Sequence, residues 1–512
     1  MVEARESQGV VLNSVAVAPG TTQEQLDTSL RWIMRNGIGI QLMETLAVGA
    51  FLTAFALHLG ASNLTIGLLA ATPHISQLAQ IPGVWMVDRA RKRRPIYLGA
   101  GAVARPMMLV IAGVPFLVPY FGTTVALGVL LVAFLLRYIA GAILSVAWNS
   151  WMRDLVPDNQ MGKVFGGRQR LMIAIGAAMS LIAAGFVDLW KLYTHYDVTY
   201  GYSVMYSLSF LFGAYAVWCA RHIVEPQLAA QVDDLNLIER LLTPLADRNF
   251  KRLLKFMASW SFAVNLAAPF FAVMMLKGMH MSITVVVLLS TLSQVAGFLT
   301  VRIWGRYADR FSNKAVLSFC APLFIACIFA WVFVPLTTKS IATYPLLIAI
   351  HIFTGIASAG VGLSSGNISL KLAPRGDATA YLATSSIINS AAAALAAVLG
   401  GMTADYFSLL DLALIVHWHS PGVTLNMTTI NLTRWDFFFA LATIVGLYSI
   451  HRLGYVEETG HVKDRAVMDV LSSMARRGAR NLSTVAGLRA MTEFPFEILR
   501  RALRRNGEAD VD

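Results

Sequence analysis

Twelve long apolar segments follow one another along most of this chain of 512 residues. A helix needs roughly 20 mostly apolar residues to cross the hydrocarbon core of a bilayer. Only 14% of the residues are charged, whereas a soluble domain usually has about 25%. The sequence therefore predicts an all-α membrane protein with twelve transmembrane helices in the lipid bilayer. The predicted spans are 37–59, 64–86, 96–118, 124–147, 170–188, 203–221, 256–276, 282–304, 315–335, 343–364, 378–402 and 434–452.

A short charged turn occurs twice between these segments. Residues Gly83–Arg94 read GVWMVDRARKRR, and residues Gly305–Lys314 read GRYADRFSNK. Both turns carry Asp-Arg at the centre, and Asp309 lies 221 positions after Asp88. A polar turn repeated once in each half indicates a duplicated membrane protein. Such proteins are most often transporters, with a substrate site between the two halves.

The repeat keeps its register beyond the turns. A shift of 221 positions places Glu44 on Asn265, and both are polar residues in an apolar first helix of their half. Near the ends of the fourth and tenth spans, Asn149–Pro157 corresponds to Asn367–Pro374 with a shift of 217 to 218. The sequence therefore predicts two bundles of six helices. The predicted regions are an N-tail 1–35, a bundle 36–222, a linker 223–255, a bundle 256–453 and a C-tail 454–512.

The positive charges are distributed unequally between the loops. If the tails and the Asp-Arg turns share one side, that side holds 35 of the 41 Lys and Arg residues. The opposite side holds only Lys191, Lys277, Lys339 and Arg434. Because cytoplasmic loops are enriched in Lys and Arg, we expect a multi-pass protein of the cell (inner) membrane with both termini in the cytoplasm.

On these features the chain resembles the major facilitator superfamily over about residues 30–455. That family carries the loop motif Gly-x-x-x-Asp-Arg-x-x-Arg/Lys-Arg/Lys between helices two and three and again between helices eight and nine. The second copy fits through Gly305, Asp309, Arg310 and Lys314. The first copy departs, because its glycine is five residues before the aspartate and Arg91 replaces a usual glycine.

The resemblance implies two six-helix bundles around a central cavity that opens alternately to each side. In this family the loop motif acts as a latch between helices near the cytoplasmic face. A carboxylate there can accept hydrogen bonds from arginine and from a helix N-terminus in one state and lose them in the other. The alternative is a charge cluster that only sets topology. The expected latch residues are Asp88, Arg89, Arg93, Gly305, Asp309 and Arg310.

Glu44 is the only carboxylate inside a predicted span and away from its ends. Ionised groups in a membrane are costly and usually face a cavity, so Glu44 is expected to bind a proton or substrate. Arg137, which with Gly141 resembles the family's Arg-x-x-x-Gly pattern, could instead hold Glu44 in a structural ion pair. The other proton or substrate candidates are Gln41, Arg137, Asn149, Asn265, His351 and Asn389.

These features predict a secondary active transporter of a small solute, coupled to protons and working by alternating access. An enzyme is not expected, since the sequence contains no nucleotide-binding loop, nucleophile elbow or metal-hydrolase helix. No cofactor is expected, and His417 with His419 lacks a third metal ligand at suitable spacing. Nucleic acid is not expected as a partner, because no basic domain of a recognisable nucleic-acid-binding fold is visible.

A second hypothesis comes from the C-tail, residues 454–512. Apolar residues recur there at helical spacing beside arginines, which is typical of a basic amphipathic helix on anionic lipid. The same tail could instead bind a protein partner. The alternative function is therefore a non-transporting assembly factor or sensor that acts through its C-tail.

Overall fold

The computed structural model describes residues 22–227, 242–334, 342–374, 378–420 and 423–458, and nearly all of them are helical. We call residues 22–227 the N-half and residues 242–458 the C-half. Within the described residues, each of the twelve predicted spans lies mostly in helix. Most of the N-tail, the middle of the linker and nearly all of the C-tail lie outside the described residues.

The helices of the N-half begin with α1 and follow the predicted order. The fold class is that of a helical membrane protein, with polar caps at the helix starts. The helices are α1 (Gln23–Ala47), α2 (Ala50–His58), α3 (Asn63–Ile75), α4 (Gln80–Ala90), α5 (Arg94–Ala104), α6 (Met107–Leu155), α7 (Asp158–Tyr193) and α8 (Val198–Ala220).

The C-half repeats this series and adds a hairpin before its last helix. Its helices are α9 (Arg248–Val273), α10 (Ile283–Arg310), α11 (Asn313–Ala330), α12 (Thr343–Leu372), α13 (Ala378–Phe407) and α14 (Trp435–Gly454). The antiparallel hairpin between α13 and α14 consists of β1 (Asp411–Ser420) and β2 (Val423–Thr433). The predicted spans leave residues 403–433 as a connection outside the membrane, with no strand expected there. Many of the hairpin residues are Val, Ile and Thr, which favour strands.

Ten of the described helical stretches are long and apolar enough to cross a membrane. One of them, Arg94–Leu155, covers two predicted spans and breaks at Gly122, whose φ of 79° suits glycine. The second predicted span is built from α3, a 3-10 turn at Ser76–Ala79 and α4. Each of those pieces is shorter than the roughly 20 residues that a crossing needs.

Helix starts are set by short polar residues. Thr22 and Gln25 form a capping box at the start of α1, with Thr22 Oγ1 accepting from the Gln25 N–H at 3.2 Å. This cap lies 15 positions before the predicted first span, so α1 extends into the predicted N-tail. Ser62 caps α3 and Ser282 caps α10 in the same way. Such caps satisfy backbone N–H groups that the helix itself leaves unpaired.

The helices pack into two bundles that meet along two seams. In the N-half, α1 packs against α7 and α8; in the C-half, α9 packs against α13 and α14. Between the halves, α3 packs along α13 and α7 packs along α10. The bundle architecture agrees with the predicted fold class, while the residue limits of the predicted regions stay a prediction.

Candidate functional site

A cavity of about 280 Å³ lies between the two halves. Its walls come from the α1–α2 region and α7 on one side and from α10 on the other. The first span is interrupted at this wall, because α1 ends at Ala47 and α2 begins at Ala50. Gly49 between them has a φ of 68°, a conformation that glycine adopts readily. Non-helical backbone at membrane depth is tolerated where it lines a cavity, and such breaks mark transporter sites.

Glu44 lines this cavity and forms an ion pair with Arg137 of α6. The Arg137 side chain is only 3% exposed, whereas that of Glu44 is 37% exposed. The guanidinium also stacks over the Tyr138 ring, 4.6 Å from its centre. Its Nε and Nη1 have no hydrogen-bond partner among the described residues. Glu44 therefore stands between the cavity and a buried cation that depends on it.

The remaining candidates fall into separate places. Gln41 lines the cavity beside Glu44, and its Nε2 donates to Thr45 Oγ1 at 3.1 Å. His351 is buried at the wall of an adjacent cavity of about 430 Å³, which shares the Val48–Ala50 break. Its Nδ1 lies 2.8 Å from the Leu347 carbonyl oxygen. These residues surround the interrupted first span from two sides.

The other three amides lie farther from that centre. Asn389 lines a cavity of about 230 Å³ within the C-half, together with Trp260 and Phe324. The Asn265 side chain donates to the Ser261 carbonyl oxygen at 2.8 Å and contacts His74. Asn149 is exposed and donates to Ser145 Oγ at 3.4 Å. The structure thus brings Glu44, Gln41 and Arg137 together but not Asn149.

Arg105 is a second buried arginine in the N-half; it lies within the predicted span 96–118 but is not among the predicted site residues. Its Nη1 donates to Met43 Sδ at 3.2 Å, and its Nε has no partner in the part of the chain that the structure describes. The signal that could have found it is the same as for Arg137, namely a charge within an apolar span.

The first Asp-Arg turn is held by a residue at its end. Arg93 is buried, pairs with Asp154 and donates through Nε to Ser150 Oγ at 3.0 Å. Asp88 makes no hydrogen bond or ion pair with a described residue, and the Arg89 guanidinium lies 5.3 Å from the centre of the Trp85 ring. Of the three expected latch residues in this turn, only Arg93 forms a buried contact, and that contact stays within the N-half.

The second turn behaves in a similar way. Asp309 is exposed and makes no hydrogen bond or ion pair within the described ranges. The Arg310 guanidinium lies 5.4 Å from the centre of the Phe311 ring. Gly305 has room for a side chain, with Leu363 at 3.8 Å. A latch through Asp88 or Asp309 therefore stays a prediction for another conformation.

Two carboxylates that the sequence analysis missed cap the helices after these turns. Glu225, which follows α8, accepts from the backbone N–H groups of Arg93 and Arg94 at the start of α5. Glu458, which follows α14, accepts from the N–H groups of Asn313 and Lys314 at 3.3 and 2.7 Å. The two caps are equivalent in the two halves. The local sequence signal is weak, since each carboxylate is far along the chain from the helix that it caps.

Glu458 is the more deeply buried of the two caps. It also accepts from the Asn313 side chain and pairs with Lys371, both at 3.0 Å. Burial raises the pKa of Glu458, but the hydrogen bonds from Lys314, Asn313 and Lys371 outweigh burial and hold the pKa below its usual range. Glu458 is therefore a stabilising anion at neutral pH.

The fold is similar to those of solved transporters. The nucleoside transporter NupG superposes with a TM-score of 0.60 at 12% identity, covering 84% of this chain and 98% of that one. A bacterial homologue of the iron transporter ferroportin in an inward-facing state superposes with a TM-score of 0.61 at 12% identity. This match covers 86% of this chain and 100% of that one. A D-xylose–proton symporter superposes with a TM-score of 0.57 at 13% identity. This match covers 85% of this chain and 98% of that one. At these identities the likeness shows a shared fold alone.

Residues 253–506 match the profile described as Major Facilitator Superfamily. No curated protein matches the sequence significantly. The profile match covers the second bundle, and the shared fold and the repeated Asp-Arg turns extend the likeness to the first. This chain belongs to the major facilitator superfamily of membrane transporters.

Proposed function

We propose that this protein moves a small solute across the membrane by alternating access and that Glu44 couples the movement to protons. One observation carries the proposal: Glu44 lines the cavity between the halves, one turn before the break in the first span, and is paired with the buried Arg137. Ionisable groups in such positions are characteristic of proton and substrate pathways.

The ion pair suggests how a proton could be coupled to solute binding. A proton on Glu44 removes the negative charge that compensates Arg137. The guanidinium then lacks a charged partner in a medium where an unpaired cation is costly. It would gain from a new acceptor, supplied by the solute or by a rearranged cavity. A proton can therefore shift the balance between two conformations, provided that they hold Arg137 differently.

Flux measurements on purified protein in proteoliposomes test this proposal. A panel of solutes is first screened by solid-supported membrane electrophysiology, which detects charge movement after a concentration jump. For a solute that gives a current, we expect uptake against its gradient when a pH gradient is imposed, and collapse of that uptake with a protonophore. Transport that follows the solute gradient alone, at any pH difference, would contradict the proton coupling.

The assembly-factor hypothesis is tested by the same preparation. Most of the tail on which it rests, residues 459–512, lies outside the described residues. A variant truncated after Glu458 should transport normally if the chain is a transporter whose tail only contacts lipid or a protein partner. No solute current from any panel member, combined with specific protein capture by the tail, would favour the alternative.

The predicted orientation gives a direct labelling experiment. Cysteines introduced at the exposed residues Lys92 and His195 lie on opposite faces of the bundle. With both termini cytoplasmic, a membrane-impermeant maleimide added to intact cells should label His195→Cys and not Lys92→Cys. Lysed cells provide the control, since both positions should then react. Labelling of Lys92→Cys in sealed cells would reverse the orientation.

A further inference from the structure

We propose that Asp188 and Asp405 form a paired gate that closes the cavity on the face opposite to the Asp-Arg turns. We call that face the far face. Each carboxylate caps the first turn of a helix that belongs to the other half. Both residues lie outside the predicted site and the predicted latches.

The contacts at the far face are direct. Asp405 at the end of α13 accepts from the backbone N–H groups of Asn63 and Leu64 at 3.1 and 2.9 Å. Asp188 near the end of α7 accepts from the N–H of Thr284 at 3.1 Å. The first N–H groups of a helix lack partners within the helix, and its N-terminus carries partial positive charge. Carboxylates are therefore suitable acceptors at both places.

The two caps are related by the internal repeat. Thr284 lies 221 positions after Asn63, and Asp405 lies 217 positions after Asp188. These shifts agree with the two shifts of the sequence repeat, 221 near the start of each half and 217 to 218 further along. Parallel repeats are related by an axis along the membrane normal. One cap thus crosses from the N-half to the C-half, and its counterpart crosses back.

The polar contacts between the halves are concentrated toward this face. The described carboxylate contacts near the Asp-Arg turns, such as Arg93 with Asp154 and Lys371 with Glu458, stay within one half. Further contacts between the halves, such as Ser180 with Thr291 at 3.4 Å, lie deeper in the membrane. Separation of the halves at the far face therefore requires both caps to break.

The two helices of the α3–α13 seam approach each other more closely than those of the α7–α10 seam. A Cβ on Gly67 would overlap the Ala397 carbonyl oxygen, and one on Gly401 would overlap the Asn63 carbonyl oxygen. No described glycine of α7 or α10 approaches the other of these two helices in this way. Asp405 also accepts two backbone hydrogen bonds and Asp188 accepts one. We therefore infer that the Asp405 cap contributes more to closure than the Asp188 cap.

Double electron–electron resonance tests the gate without any solute or proton gradient, so its outcome is independent of the proposed coupling. Spin labels are attached to His195→Cys and Leu409→Cys, which are exposed on the far face in opposite halves. The native cysteines are buried and are replaced. In Asp405→Asn, we expect the ratio of long to short distances to rise about tenfold, because the amide offers one acceptor oxygen instead of two and carries no charge at the helix N-terminus.

Matched variants make the test specific. Asp188→Asn should raise the same ratio about threefold, since its amide oxygen can still accept the single N–H but no longer carries a negative charge at the helix N-terminus, and Asp405→Glu should keep the closed distance. Asp197 caps α8 within its own half, with its Oδ1 at 2.8 Å from the Thr199 N–H, so Asp197→Asn should leave the ratio unchanged. If Asp405→Asn does not fold, Asp188→Asn decides. Unchanged distances in a folded cap variant, or an equal shift in Asp197→Asn, would overturn the gate.

Discussion

Proton-driven accumulation should be lost when Glu44 is replaced by Gln. The amide keeps the size of the side chain and can still accept a hydrogen bond from Arg137, but it cannot bind or release a proton. We expect accumulation driven by a pH gradient to fall to the level of protein-free vesicles. Counterflow exchange of solute should survive, because exchange needs no net proton release. Both quantities are measured in the same proteoliposomes with labelled solute.

Gln41 provides the control for that result. It lines the same cavity one turn away and carries no charge. Gln41→Leu should change solute affinity while accumulation still responds to the pH gradient. Accumulation at the wild-type level in a folded Glu44→Gln protein would exclude Glu44 as the coupling group.

The stability of single and double variants separates coupling from a purely structural pair. Glu44→Leu leaves Arg137 charged and buried without a partner, at a cost of about 3–5 kcal/mol. Arg137→Leu leaves the Glu44 carboxylate unpaired, but that side chain is 37% exposed to the cavity. This substitution should therefore lower the free energy of unfolding by less than Glu44→Leu does. Glu44→Leu with Arg137→Leu should recover most of the loss. Recovery of most of the stability without recovery of accumulation is the expected pattern.

Replacement of Glu458 by Ala should give the largest loss of stability on the face that carries the Asp-Arg turns. It removes the acceptor of two backbone N–H groups, the Asn313 side chain and Lys371. Buried donors without partners cost about 1–3 kcal/mol each, and water can reach some of them after truncation. We therefore expect a decrease of roughly 2–4 kcal/mol in the free energy of unfolding, measured by thermal unfolding in detergent.

The pH dependence of that loss has a definite sign. The pKa of Glu458 is lowered in the folded protein, so its contribution is fully present above the ordinary glutamate value. The contribution disappears as the pH falls through the lowered pKa, where wild type and Glu458→Ala should converge. Glu225→Ala is the matched control. Because Glu225 is less buried than Glu458, its replacement should lower the free energy of unfolding by a smaller amount. A difference in stability between wild type and Glu458→Ala that stays constant down to the lowest pH would contradict the role of Glu458 as a stabilising anion.

The apolar segments and the repeat could be predicted because each depends on local composition. A span needs only enough consecutive apolar residues to cover the bilayer, and the twelve predicted spans lie mostly in helix within the described residues. The hairpin at 411–433 was not predicted, since a loop outside the membrane has no such requirement. The break at Val48 and Gly49 was also missed, although a glycine in the middle of an apolar run was a usable signal.

The candidate site shows a similar division. A charge inside an apolar span is costly wherever the helix packs, so Glu44 and Arg137 could be selected as candidates from the sequence alone. Their ion pair was one of two alternatives, and only the tertiary structure brings Glu44 of α1 next to Arg137 in the middle of α6. Asp154, Glu225 and Glu458 were missed because their partners lie tens to more than a hundred positions away in the chain.

The sequence by itself determined the helical membrane class, the duplication and the family resemblance, because apolar length, charge asymmetry and a repeated motif are properties of consecutive residues. Only the tertiary structure decided which polar groups face each other across the two halves. Asp188 and Asp405 look like ordinary residues at the ends of spans. They acquire a partner because the repeat places α7 beside α10 and α13 beside α3, and hydrogen bonds form only between groups that packing brings within about 3 Å.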